Sequence, residues 1–460
     1  MDASNKHLSE KRLPRFVTGS TMRHVVVMTA TGSVGLFSIF LVDFLSLLYI
    51  AQLGDARLTA GVGAASQVIF LTSSVNIGLM IAVSALVSRA LGQGDRSVAR
   101  RLAASSLVVL VTASTLVSMI LLPLLPVLLP IVGASAETYP VAHSFLTIIL
   151  PSNGIVAMGM GLSAVLRAAG EARLSMYITM IGAAFTAVMD PLFIFAFGFG
   201  TNGAAMVAVL ARTTLALSGL YCTVRVLDLI ARPSIADLKA FVGKILSVGI
   251  PAIMTNLATP VANAFLANII KQYGDNIYAA NSILDRLVPL VFGGLFALSG
   301  SVGPILGQNW GAQQYGRMKQ VLKDTVLFTA CYVTVVWVVL IASHSLIAVA
   351  FRVTGITAEM LAFFCFISGI MWFFNGLLFV SNASFNNLGF PLLSTAFNWG
   401  RATIGVVPFA LAGAWLAGPK GLYAGVTVGS AIFGLAACIT AFWTIRKLEI
   451  KGRTGNRNMQ

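Results

Sequence analysis

Apolar residues fill this chain in long blocks, separated by short polar stretches that carry glycine, proline or charge. A helix rising 1.5 Å per residue needs about 20 apolar residues to cross the hydrocarbon core of a bilayer. Twelve blocks exceed that length: 24–53, 62–91, 103–131, 141–167, 174–199, 203–230, 245–272, 280–309, 321–351, 357–386, 391–417 and 421–445. Each predicts a membrane-spanning helix, and no stretch outside them is long enough for a soluble domain. The first block follows 23 polar and basic residues and is too long for the apolar core of a cleaved leader, so it is read as a spanning helix.

Composition strengthens the pattern. Hydrophobic residues make up 57% of the chain and charged residues 10%, where soluble domains carry roughly 25% charged residues. The placement of charge then orients the chain. With the N-terminus in the cytoplasm, 23 of the 30 Lys and Arg fall in the tails and the loops on their side. Four fall in the opposite loops (Arg57, Lys271, Arg352, Lys420), and Arg212, Arg286 and Arg401 lie inside helices. Cytoplasmic loops carry the excess of Lys and Arg, so both termini are expected in the cytoplasm of a cell whose plasma membrane the chain crosses. The net charge of +15 then serves topology. A nucleic-acid site would need a folded basic surface, and no domain carries one. The expected partners are the bilayer and a small organic substrate, with no nucleic acid.

The chain also repeats itself. Gln52-Leu53-Gly54-Asp55 recurs as Gln272-Tyr273-Gly274-Asp275, and Leu91-Gly92-Gln93 as Leu306-Gly307-Gln308. Gly170 with Leu174-Ser175 recurs as Gly389 with Leu393-Ser394, and Gly200-x-x-Gly203 as Gly418-x-x-Gly421. The offsets are 220, 215, 219 and 218, so order and register are nearly kept. An even helix count gives both copies one orientation. The expected fold class is therefore an all-α polytopic membrane protein, with twelve transmembrane helices in two six-helix lobes related by a parallel repeat. Such duplication is common in secondary transporters, whose substrate path runs between the halves. The expected parts are a tail (1–23), a lobe (24–230), a linker lying as a short amphipathic segment on the inner face (231–244), a second lobe (245–445) and a tail (446–460), in a monomer.

Enzymatic motifs do not emerge. Cys222, Cys331, Cys365 and Cys438 are scattered singly, with no metal or disulfide spacing. The chain has no Walker phosphate loop, no H-E-x-x-H and no nucleophile elbow. Neither ATP hydrolysis nor intramembrane hydrolysis is expected of this chain alone, and no cofactor is expected beyond a coupling ion.

An acid at the centre of the bilayer costs roughly 2.5–3.5 kcal/mol on insertion scales, so each one is a candidate for function. Asp43 lies 11 residues before Gly54 and Asp190 lies 10 before Gly200, two glycines that close helices at their outer ends. At 1.5 Å per residue both carboxylates sit about 15 Å in, at matched depth. Two carboxylates sharing a low-dielectric cavity cannot both stay ionised cheaply, so such a pair can take up and release a proton or a cation. The repeat maps Asp43 onto Asn263, and the second half has no matching pair, which puts the chemistry in the first lobe. The alternative for Asp190 is structural. Arg212 lies about as far past the 199–203 turn as Asp190 lies before it, and a buried acid–Arg pair can simply hold helices together. Both readings stand at this point. Asp285, Arg286 and Arg401 have no evident partner, and packing or water access is the simpler account of them.

Several of these motifs resemble the multidrug and toxic compound extrusion family. They are Leu306-Gly307-Gln308-Asn309-Trp310-Gly311-Ala312 and its partner Leu91-Gly92-Gln93-Gly94-Asp95, Leu166-Arg167-Ala168-Ala169-Gly170, and Asp190-Pro191-Leu192-Phe193-Ile194-Phe195 running into Gly198-x-Gly200-x-x-Gly203-Ala204-Ala205. The resemblance spans about 24–445 and is nearest to the family's prokaryotic DNA-damage-inducible branch. It implies a two-lobed, twelve-helix antiporter that expels organic, cationic or amphipathic compounds in exchange for H⁺ or Na⁺. Aligned on Gly54-Asp55, the family's helix-1 aspartate falls on Ser46, one turn from Asp43. The family's Asn before the helix-5 aspartate is Thr186, and its following Thr is Ala208. Only Asp190 of that four-residue cation site is kept. Na⁺ needs several oxygen ligands and a proton needs one carboxylate, so the departures favour H⁺.

A flippase for lipids or lipid-linked oligosaccharides, from the same superfamily, is the runner-up. It would need several cations in its cavity to hold a pyrophosphate, where only Arg212 and Arg401 are available. A membrane enzyme or sensor would need a catalytic constellation or a soluble module, and neither is visible.

Overall fold

The computed structural model describes residues 14–457, so the expected tail segments 1–13 and 458–460 lie outside the described residues. The described residues form helices and no strand. The first six spanning helices are α1 (Thr21–Ala51), α2 (Ala56–Gly92), α3 (Arg96–Ile131), α4 (Tyr139–Ala168), α5 (Ala172–Ala196) and α6 (Gly200–Val226). They are followed by α7 (Ile235–Lys271), α8 (Asp275–Gly311), α9 (Tyr315–Ala350) and α10 (Gly355–Asn387). The remaining helical stretch is broken at Ala417 (φ −145°) and Gly418 (φ 59°, ψ −142°), which divides α11 (391–416) from α12 (419–457). Twelve crossings thus match the twelve apolar blocks.

Local chemistry sets the helix ends. The side chains of Asp55 and Asp95 accept the backbone N–H groups of Arg57 and Val98, each at 2.9 Å, satisfying donors that a helix start leaves unpaired. The repeated glycines are the stop points. Gly54 and Gly274 have φ of 79° and 95°, Gly170 and Gly389 87° and 83°, and Gly200 and Gly418 55° and 59°. A side chain at any of them would be strained, so the sequence repeat is a repeat of turn geometry.

Two boundaries correct the expected division. The linker is not a separate surface segment over 231–244, because α7 begins at Ile235 and runs unbroken to Lys271. No proline interrupts 235–250, and Asp237, Lys239 and Lys244 can meet water where the helix leaves the hydrocarbon. The residues 446–457 likewise continue α12 rather than forming a detached tail.

The twelve helices form two six-helix lobes, α1–α6 and α7–α12. In the first, α1 lies along α5 and α2 packs on α3 and α4. In the second, α10 packs on α8, α9 and α12. The lobes meet through α1 on α8 and through α2 on α7 and α8.

Among the described residues, every hydrogen bond between the lobes lies at the end of the bundle that carries the termini. Gln308 (1% exposed) is its centre. Its Oε1 accepts the Phe16 N–H at 2.9 Å and its Nε2 donates to the Ala168 carbonyl at 2.7 Å. Asn309 Nδ2 donates to the Phe16 carbonyl at 3.1 Å, and Arg317 donates to the Phe16 and Gly19 carbonyls at 2.9 Å each. Thr21 donates to Asp324. The backbones are close enough that a Cβ at Gly92 would overlap the Gln308 carbonyl, and one at Gly311 the Arg89 carbonyl. The two Leu-Gly-Gln motifs therefore form a tight seal across the lobes at one end.

Candidate functional site

Asp190 ends the regular part of α5. Pro191 follows it, and a proline ring crowds the preceding turn and offers no N–H. The helix widens into a π turn over Leu192–Ala196, with the Phe197 N–H reaching the Leu192 carbonyl at 2.9 Å. Widened turns of this kind recur at functional sites. The Asp190 side chain points into the lobe and is 1% exposed. Its Oδ2 accepts a hydrogen bond from the Ser46 hydroxyl of α1, while Oδ1 is buried without a partner. A buried carboxylate oxygen left unpaired is costly, so this atom is the outstanding polar feature of the lobe. One turn outward from Ser46, the Tyr49 ring packs edge-on against Phe195 of the π turn, 6.1 Å between centroids. The pair is covered on that side by aromatic rings.

Asp43 lies one turn deeper on α1 than Ser46. It is exposed and close enough to Asp190 and Arg212 to interact with both through their charges. The side chain that meets Asp190 directly is therefore Ser46, with Asp43 one turn deeper on the same helix. Arg212 does not form the ion pair offered as the structural account of Asp190. Its Nη1 lies 3.4 Å from Ser152 Oγ, and no Asp190–Arg212 salt bridge occurs among the described residues. Thr186 is one turn below Asp190, but its hydroxyl donates to the Gly182 carbonyl at 3.1 Å. Asn263 is exposed on α7 in the other lobe, apart from this cluster.

Sequence reasoning missed the polar layer joined to Ser152. Its neighbour Asn153 donates to the Ser114 carbonyl at 2.9 Å and accepts from Asn76 Nδ2 at 2.8 Å, and Ser114 Oγ donates to Asn76 Oδ1 at 2.6 Å. All three side chains are buried, and they tie α2, α3 and α4 together. Single amides inside apolar blocks were the available signal. In the second lobe Tyr423 donates to Asn281 Oδ1 at 2.8 Å, and Asn281 donates to Asp285 at 3.0 Å. This supplies partners for an acid that had none from the sequence. Arg401 opens another π turn (Arg401–Gly405), and its Nε is buried without a partner.

The MatE family model matches residues 33–192 and 251–411, one match in each lobe. The FAD transporter of Shewanella oneidensis is 25% identical over 425 residues, covering 90% of this chain and 93% of that protein. The multidrug export protein MepA of Staphylococcus aureus is 24% identical over 302 residues, 63% of this chain and 66% of that protein. In fold, the chain superposes on the Vibrio cholerae MATE transporter VcmN in its bent form with a TM-score of 0.87, at 22% identity and with 94% and 98% of the two chains covered. The duplicated twelve-helix fold and a family match in each half make this chain a member of the MatE family of multidrug and toxic compound extrusion transporters.

Proposed function

We propose that this transporter is a secondary active antiporter that expels organic, cationic or amphipathic compounds in exchange for H⁺, by alternating access between its lobes. The observation that carries this reading is the Ser46–Asp190 pair. It holds a buried carboxylate with one oxygen unpartnered, beside a second acid and away from any cation that would neutralise it by contact. A carboxyl group there can hold a proton in one state and release it in another. Na⁺ would need further oxygens. Ala208 has no side-chain oxygen and Thr186 stands where the family carries Asn, so two of the four ligand positions have changed and H⁺ is favoured.

The joined end is read as cytoplasmic, from the excess of Lys and Arg there, so the present arrangement faces outward. A single cysteine at position 456 should then resist an impermeant thiol reagent in sealed cells and react after permeabilisation. Strong labelling in sealed cells would reverse the topology.

A second reading of the substrate deserves a place in the same experiment. The FAD transporter named above matches nearly the whole chain, and Arg212, Arg286 and Arg401 could meet a phosphate-bearing dinucleotide. In proteoliposomes, an imposed pH gradient should drive movement of a cationic dye, and a Na⁺ gradient of equal size should not. Transport of flavin adenine dinucleotide but no cation would overturn the cationic substrate class, and drive by Na⁺ alone would overturn H⁺ coupling.

A further inference from the structure

We propose that the cavity between the lobes at their joined end is a binding site for the phosphate headgroup of an anionic phospholipid from the adjoining leaflet. The cavity has a volume of about 550 Å³ and is walled by α2 of the first lobe and by α7, α8, α10 and α11 of the second. Arg89 and Lys244 line it, and no Asp or Glu does. Neither cation forms a salt bridge among the described residues. The Arg89 guanidinium carbon lies over the Trp310 ring, 3.6 Å from its centroid. The contact holds the guanidinium in place, and the Arg89 side chain makes no hydrogen bond or salt bridge among the described residues, so its N–H groups can meet an oxyanion, the group Arg holds best.

Asn386 gives an independent sign of a ligand. It lines the same cavity, is 3% exposed, and makes no hydrogen bond, with Oδ1 buried and partnerless. A buried carbonyl oxygen without a donor is expensive, and Asn387 Oδ1 in the same wall is likewise unpartnered. The hydroxyl groups of a glycerol-type headgroup would donate to these oxygens while the two cations hold its phosphate.

The rest of the lining selects a lipid over a soluble anion. Leu392 continues the cavity wall as apolar surface and is 71% exposed. Arg89 lies three residues from the end of α2, and Lys244 lies in the third turn of α7. Helices of 37 residues extend about 55 Å and overreach a hydrocarbon core of about 30 Å, which puts these ends at headgroup level. Basic pockets between spanning helices suit acidic headgroups. Because both lobes build the walls, the lipid binds only while this end is joined and so favours the present state of the transporter.

The test is native mass spectrometry and thermal unfolding of the purified full chain with phosphatidylglycerol, phosphatidylcholine or glycerol 3-phosphate. Phosphatidylglycerol should be retained and stabilising, and the Lys244→Gln/Asn386→Ala variant should bind it about tenfold more weakly, as expected when charge-assisted hydrogen bonds are lost. Lys239→Gln, in a separate groove between α3 and α7, should bind like the parent. Should the double variant not fold, Lys244→Gln alone alters only an exposed side chain and carries the comparison. Equal binding by the parent and the Lys244 variant, an equal loss in Lys239→Gln, or equal stabilisation by phosphatidylcholine would each overturn the site. Stabilisation by glycerol 3-phosphate as large as that by the lipid would overturn the lipid in favour of a soluble anion.

Discussion

Asp190→Asn is expected to reduce gradient-driven efflux to the background of empty vesicles while leaving folded yield unchanged. Asparagine keeps the shape of the side chain and an oxygen that can accept from Ser46. Removing the charge also removes the cost of an acid at this depth, roughly 2.5–3.5 kcal/mol on insertion scales. Folding therefore has no reason to suffer, whereas a side chain that cannot gain or lose a proton cannot couple to a proton gradient. The geometry also separates this from a packing role. Arg212 hydrogen-bonds Ser152 rather than Asp190, so Asp190→Asn strands no cation, and adding Arg212→Gln should not restore efflux. Transport assays on both variants, alongside size-exclusion profiles, decide the matter. Normal pumping by Asp190→Asn, or recovery in the double variant, would move the coupling site elsewhere, with Asp285 as the next acid to test.

How far the chain could be read in advance follows from where each property is encoded. The twelve crossings were legible because hydrophobic length is a local requirement of the bilayer, met within each block. The repeat was legible because glycines such as Gly54 and Gly274 answer a local backbone demand. Depth was legible only to within a turn, since counting from those glycines put Asp190 level with Asp43, whereas its hydrogen bond goes to Ser46, one turn further out on α1. Direction around the helix axis was not. Nothing local says that Ser46, 144 residues from Asp190, supplies the hydrogen bond, although the family resemblance had pointed to that position for another reason. Nor could spacing tell that Arg212 turns to Ser152. The layer of Asn76, Ser114 and Asn153 needs three helices to rotate into register, which no one block records. The start of α7 was misjudged because an apolar criterion stops at the hydrocarbon edge, while hydrogen bonding carries the helix on to Ile235. The Leu-Gly-Gln motifs were seen as a signature, but their work as contact points between lobes appears only when Gly92 lies against Gln308.

That contact leads to the second large effect. Gln308→Leu is expected to part the lobes at the end that carries the termini. The side chain is buried and satisfies two groups from the opposite lobe and its leading segment, the Phe16 N–H and the Ala168 carbonyl. Leucine fills a similar volume but leaves both unpaired, at about 1–3 kcal/mol each. Since about 1.4 kcal/mol is a factor of ten in an equilibrium, the joined state should lose at least tenfold in population against any arrangement in which water reaches these groups. Water is the alternative partner, and it enters only when the lobes separate. Spin labels at positions 93 and 323, both exposed in the present state, should show a distance distribution moved to longer values. Gly92→Ala should move it in the same direction for a steric reason, because its methyl group would occupy the space of the Gln308 carbonyl. An unchanged distribution in both variants would mean that the seal is incidental to the state of the transporter. A shift in both, with efflux slowed, would identify the repeated Leu-Gly-Gln segments as the contacts that one half of the cycle must make and the other half must break.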